Sequence, residues 1–345
     1  MLGWGVVGLA LAALASTVLT AAWFWRILLR DFPAVAGFWL RGLGKSKIQN
    51  PKSKITLLLR AGWPLMLNGL LVGLFFRADQ FIIKANTTGG EVARYEAAYR
   101  FLNFVLLITP AVTFALFPRM ARHAATDRPR LAYEYGFALK ALLLLSVPIV
   151  ALTVWFAPLL VSVVTGGKAG YLPESATVLQ ILIFFLPFSF VNGLTQYVLI
   201  ALDLQRLITR AFIATVVFNV GANLLLVPLL GIYGAALTTV LSELVLLGPF
   251  LMWTVRELGD VPLPPASWAL KPLLGGLVVG ALGWALQPLA RHWNESWLDA
   301  ATYLGAGLLL LGVYVAATLV ARPFTDAERK ALVGALRREA PAPRS

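Results

Sequence analysis

Charged side chains stand where an apolar stretch should exclude them. Residues 57–85 read LLLRAGWPLMLNGLLVGLFFRADQFIIKA, long and apolar enough to cross a bilayer, yet they carry Arg77, Asp79 and Gln80 near one end and Pro64 and Asn68 inside. A charge at membrane depth costs roughly 2.5–3.5 kcal/mol on insertion scales, so it is retained where it faces a polar cavity or a partner. Tyr95, Glu96, Tyr99 and Arg100 open the next apolar run, and the short connection makes the two sets neighbours. Arg77 and Arg100 suit an anionic substrate, because a guanidinium offers phosphate or carboxylate two hydrogen bonds at once. Asp79 then orients Arg77 or takes part in ion coupling. The structural alternative is mutual satisfaction, Arg77 with Asp79 and Glu96 with Arg100, the latter pair four apart on one helix face.

Glu243 sits near the middle of another run, 233–255, beside Thr238, Thr239 and Ser242. An acid at the midplane reads as an ion- or proton-coupling site, or as a protonated carboxyl bonded to a neighbouring helix. Among neutral polar residues inside apolar runs, Asn68 and Asn192 are the candidates for cavity hydrogen bonds. Asn103, Gln196, Asn219 and Asn223 suit helix–helix contacts, which polar groups stabilise by ~0.6 kcal/mol each. No catalytic set is expected: Walker, HExxH and GxSxG patterns are absent from the sequence. Without cysteine, and with His123 and His292 the two histidines, no metal centre or cofactor is expected either.

The elements that must position these residues follow from composition. Of 345 residues 59% are hydrophobic and 13% charged, with a mean hydropathy of +0.79. Soluble domains carry about a quarter charged residues, so this is an all-α integral membrane protein. About nine spans fit the rule of ~20 apolar residues per crossing, near 3–25, 57–83, 94–117, 136–164, 175–201, 208–230, 233–255, 269–290 and 299–321. Continuous apolar runs without alternation imply helices rather than a barrel. The net charge of +13 falls in short segments between spans, which excludes nucleic acid as the expected partner. Basic residues crowd alternate loops (Arg26 to Lys54, Arg119 to Arg130, Arg206 and Arg210, Arg256 and Lys271, then the tail), and the basic side is cytoplasmic. This places Met1 outside and Ser345 inside. The tail 325–339 opens with a capping box, Thr325 and Glu328, and predicts an amphipathic helix on the inner face.

An internal repeat organises the chain. At an offset of 226, Gly5, Gly8, Ala10, Leu11, Ser16, Phe24 and Arg30 meet Gly231, Gly234, Ala236, Leu237, Ser242, Phe250 and Arg256. Transporters are often built from repeated halves with the substrate between them. The expected organisation is 1–29, the last helix of a truncated first lobe; 30–56, a basic cytoplasmic linker; 57–256, a six-helix second lobe; 257–321, two additional helices; and 322–345, the tail.

RADQFIIKANTTGGEVARYEAAYRFLNF (77–104) resembles the join of the first two second-lobe helices in polysaccharide flippases of the MOP superfamily. ALFPRMARH (115–123), SATVLQILIFFLPF (175–188) and GIYGAALTTVLSEL (231–244) are similar to further spans of that family. The resemblance implies spans six to fourteen of a fourteen-span protein in the bacterial inner membrane. It implies translocation of undecaprenyl-diphosphate-linked oligosaccharide by alternating access, with Arg77 and Arg100 meeting the diphosphate or sugar acids. The implied partners are that substrate, the bilayer, and glycan-assembly enzymes or a separately encoded first lobe. The competing expectations are a MATE-like exporter of drugs or small molecules, a polytopic glycan ligase or transferase, and a fragment inactive without its first lobe.

Overall fold

In the computed structural model the described residues are scattered positions between 14 and 30, then 67–259 (except 68, 76 and 88), 275–282 and 297–321. The chain divides into two compact units, Met1–Gly62 and Trp63–Ser345. In the first, the described residues are helical, with Thr20 Oγ1 donating to the Ser16 carbonyl at 2.8 Å. The linker, the tail and Asn68 lie outside the described residues.

The second unit is built from helices, and no strand occurs among its described residues. Residues 69–75 are helical, Arg77 is a turn residue, and α1 (Ala78–Asn86) follows. The span expected to run unbroken through 57–83 is therefore interrupted at its charged end. The Arg77 backbone, at φ −129°, leaves helical geometry there. Next come α2 (Glu91–Leu106) and α3 (Ile108–Thr126), which meet at Leu107. Pro110 lies four residues beyond Leu106 and cannot donate to its carbonyl, so the rod breaks at that turn. After Asp127 comes α4 (Arg128–Thr165), capped by an Asp127 oxygen that accepts from the Arg130 N–H at 3.1 Å, and closed by Gly166 in the left-handed region.

Helix α5 (Glu174–Leu182) passes through one 3-10 turn, Ile183–Phe185, into α6 (Leu186–Ala201). Pro187 deprives Ile183 of its helical donor, which accounts for the turn. Then α7 (Gln205–Leu230) and α8 (Ile232–Leu258) form a hairpin through one residue, Gly231, at φ +60°. Gly234 packs so closely that a Cβ would collide with the Leu226 backbone carbonyl. The glycines that matched across the repeat are thus required by the hairpin itself. Last is α9 (Trp297–Ala321).

Five of these segments are long and apolar enough to cross a membrane: Glu91–Thr126, Arg128–Thr165, Glu174–Ala201, Gln205–Leu230 and Ile232–Leu258. They exceed the expected boundaries mainly at the basic end. At 1.5 Å per residue the 38 residues of α4 reach about 57 Å, well past a ~30 Å hydrocarbon core. The main core joins α2, α4, α5, α6 and α8 around Tyr95, Tyr135, Phe185 and Phe190, all fully buried.

Helix α4 carries two internal prolines, and each of the two carbonyls they leave without a helical donor finds a donor on another helix. Pro158 cannot donate to the Val154 carbonyl, and Gln180 Nε2 of α5 donates to it at 2.9 Å. Pro148 cannot donate to the Leu144 carbonyl, and Tyr314 Oη of α9 donates to it at 2.8 Å. In hydrocarbon every freed backbone group needs such a partner, so the carbonyls freed by the prolines also dock the neighbouring helices. The small-residue face at 276–280 serves packing: a Cβ on Gly276 would stand 2.7 Å from Val147 Cγ1 of α4.

Candidate functional site

Helix α8 turns Thr238, Thr239, Ser242 and Glu243 inward, and all four are buried. Their spacing places them on one face over two turns. Opposite them stand polar residues from α1, α2, α6 and α7.

Asp79 of α1 is buried, 1% exposed. Its carboxyl accepts from the Tyr95 hydroxyl and, at 2.8 Å, from the Gln80 backbone N–H. The Thr239 hydroxyl lies 3.4 Å from Tyr95 Oη while donating to the Ala235 carbonyl at 3.1 Å. Each hydroxyl has one proton, already committed, so that contact is polar proximity rather than a bond. The Tyr99 ring stands 5.0 Å from that of Tyr95, and its buried hydroxyl has no protein partner among the described residues.

Glu243 is 2% exposed and Asn192 of α6 is 4% exposed. The Asn192 amide nitrogen donates to the Glu243 carbonyl at 2.9 Å and to its Oε2 at 2.6 Å. Asn192 Oδ1 is buried without a protein partner. Nearby, Asn219 Nδ2 donates to Ser242 Oγ at 3.0 Å, and Asn223 Nδ2 to the Asn219 side-chain oxygen at 3.1 Å. Asn219 therefore joins α7 to α8, a helix–helix contact of the kind expected for it, whereas Asn223 bonds within α7.

The arginines are placed differently. Arg77 is exposed and reaches Gln80 Oε1 at 3.5 Å. The pairing of Arg77 with Asp79, one of the two readings of that end, is replaced by Asp79 with Tyr95. Arg100 is exposed and lines a pocket of about 410 Å³ with Glu96, Val92 and Tyr171. The expected nearness of α1 and the start of α2 is realised through Asp79 and Tyr95. The pairing of Asn192 with Glu243 was missed, because nothing in a linear sequence links positions 51 apart.

The comparisons with known proteins bear on this bundle. The MatE family model matches residues 64–243, more than half of the chain. The chain belongs to the MatE family, and so to the MOP superfamily of membrane flippases and transporters. A second model, described as polysaccharide biosynthesis protein, matches residues 1–124 of this MatE protein. Among solved structures it is similar to "Lipid II flippase MurJ, inward closed conformation", with a TM-score of 0.64 and 14% identity, over 82% of this chain and 58% of that one. That likeness shows a shared fold, and the MatE chain spans somewhat over half the length of that flippase. No curated protein matches it significantly. It is a multi-pass, all-helical membrane protein.

Proposed function

We propose that this lobe belongs to a flippase for undecaprenyl-diphosphate-linked oligosaccharide in the bacterial inner membrane, working by alternating access. The observation that supports this reading best is the segregation of charge. The acids Asp79 and Glu243 are buried and hydrogen-bonded, whereas Arg77 and Arg100 are exposed. An open cation with a buried anion favours an anionic substrate over a cationic drug. In this reading Arg77 and Arg100 bind the diphosphate, Asn68 meets the sugars, and Asn192 adds its unpaired Oδ1. Asp79 and Glu243 couple the movement to an ion or proton.

The match to the polysaccharide biosynthesis model over 1–124 favours the glycan substrate. The MatE match over 64–243 keeps a second reading, a small-molecule exporter. Both are tested in cells lacking the native gene, complemented with the chain alone and with the chain beside a first lobe. Restored surface glycan and loss of accumulated lipid-linked oligosaccharide support the flippase. Restored drug resistance without restored glycan supports the exporter.

A further inference from the structure

The strongest unassigned feature lies far from the buried acids, where α3 turns into α4. A pocket of about 620 Å³ opens there, lined by Arg119, Arg122, His123, Ala125, Thr126 and Arg130. Arg119, Arg122, His123 and Thr126 recur at three- and four-residue spacing, so α3 presents one basic face. The turn at Asp127 is tight, and its carboxyl caps α4 through the Arg130 N–H, which brings Arg130 back over that face.

Glu134 organises the pocket. It accepts from Arg119 Nη2 at 2.6 Å and meets His123 Nδ1 at 3.0 Å, with its side chain 14% exposed. One carboxylate thus fixes two of the lining groups and neutralises one charge. The guanidinium groups of Arg122 and Arg130 are exposed and, among the described residues, have no protein acceptor. Arg128 beside them is engaged with Glu257 at 3.5 Å. The pocket therefore holds surplus positive charge and unfilled donors arranged around an open volume, and it lacks an acceptor.

What fills it is indicated by the residues that lead up to it along α3 and the end of α2, across Leu107, whose backbone stays in the right-handed helical region. Phe104, Leu107, Ala111, Phe114 and Pro118 are all exposed and follow each other at three- and four-residue spacing, ending at Arg122. Phe104, Leu107 and Phe114 are at least 60% exposed. An apolar strip that terminates in two unpaired arginines has the form of an acyl chain beneath a phosphate. A free anion would have no use for the strip.

We propose that this end of α3 and α4 is a binding site for the phosphate headgroup of an anionic phospholipid, with one acyl chain along the strip from Phe104 to Pro118. The inference takes from the charge pattern of the loops only the expectation that this face is cytoplasmic, and does not depend on what the protein moves. Its test reads ligand binding and not transport, so the two can fail separately.

The test is thermal unfolding of the purified chain in detergent, with short-chain phosphatidylglycerol, phosphatidylcholine or inorganic phosphate at equal concentrations. A ligand that binds only the folded state raises Tm, here by about 3 °C or more for phosphatidylglycerol. Phosphatidylcholine and inorganic phosphate should give less than a third of that shift. The double variant R122Q/R130Q should unfold like the parent without lipid and lose the shift, while R128Q should keep it. A full shift in R122Q/R130Q, or an equal shift with phosphatidylcholine, would overturn the proposal. Reproduction of the shift by inorganic phosphate would overturn it too, by assigning the pocket to a free anion. If the double variant unfolds, the single variant R122Q and the comparison of ligands on the parent chain decide.

Discussion

The amide nitrogen of Asn192 holds Glu243 twice, by its backbone carbonyl at 2.9 Å and by its carboxyl at 2.6 Å. Both donors of one amide are spent on one residue, which clamps α6 to α8 where both are buried. The clamp joins two residues with separate expected roles, a substrate contact and a coupling acid. A change at either must be felt by the other.

Replacing Asn192 by leucine leaves the Glu243 carboxyl short of a donor in a buried site. The expected loss of stability is about 1–3 kcal/mol, read from thermal unfolding in detergent. Glu243→Gln keeps an acceptor for the Asn192 amide and should stay within about 1 kcal/mol of the parent. Under the coupling proposal it nevertheless stops export. Normal export from a folded Glu243→Gln protein would remove Glu243 from the coupling machinery.

Arg77 is exposed, with a single 3.5 Å contact to Gln80, so its removal should hardly affect folding. Arg77→Ala is expected to abolish glycan export while the protein stays in the membrane at parental levels. A pulse of labelled sugar, followed by separation of lipid-linked from surface glycan, measures this. Undiminished export would end the cavity role of Arg77.

Gln180 matters because of Pro158. In Gln180→Leu the Val154 carbonyl loses its substitute donor, at an expected cost of about 1–3 kcal/mol. Pro158→Ala restores a backbone N–H four residues beyond Val154, so Gln180→Leu in that background should cost markedly less. A double-mutant cycle on unfolding midpoints gives the coupling directly. Equal losses in both backgrounds would mean that Gln180 is not answering the proline.

The α7–α8 hairpin depends on two glycines for different reasons. Gly231 needs φ +60°, and Gly234 has the Leu226 carbonyl where a Cβ would stand. Gly231→Ala should cost about 1–3 kcal/mol through backbone strain, and Gly234→Ala a similar amount through overpacking. Gly221, in the same hairpin, has open space around its missing Cβ. Gly221→Ala should therefore be neutral or gain up to about 1 kcal/mol from helix propensity. Melting temperatures of the three variants check the order.

The membrane class, the helical architecture and the placement of Asp79 and Glu243 within apolar runs were legible from the sequence. A bilayer dictates run length and composition, and both are written linearly. Tyr95 as a neighbour of Asp79 was also readable, because a short connection brings adjacent helices together whatever the rest does. The break at Arg77 was not, since an apolar run continues through it and only the backbone shows the turn. Nor was the reason for Gln180 and Tyr314, whose acceptors belong to α4 and are left free by prolines far from them in the chain. The same holds for Asn192 with Glu243, and for Glu134 reaching back across the turn to Arg119 and His123. Burial by itself marks a polar residue as costly, but which partner meets that cost depends on how helices distant in sequence cross in space. Tertiary packing alone decides that.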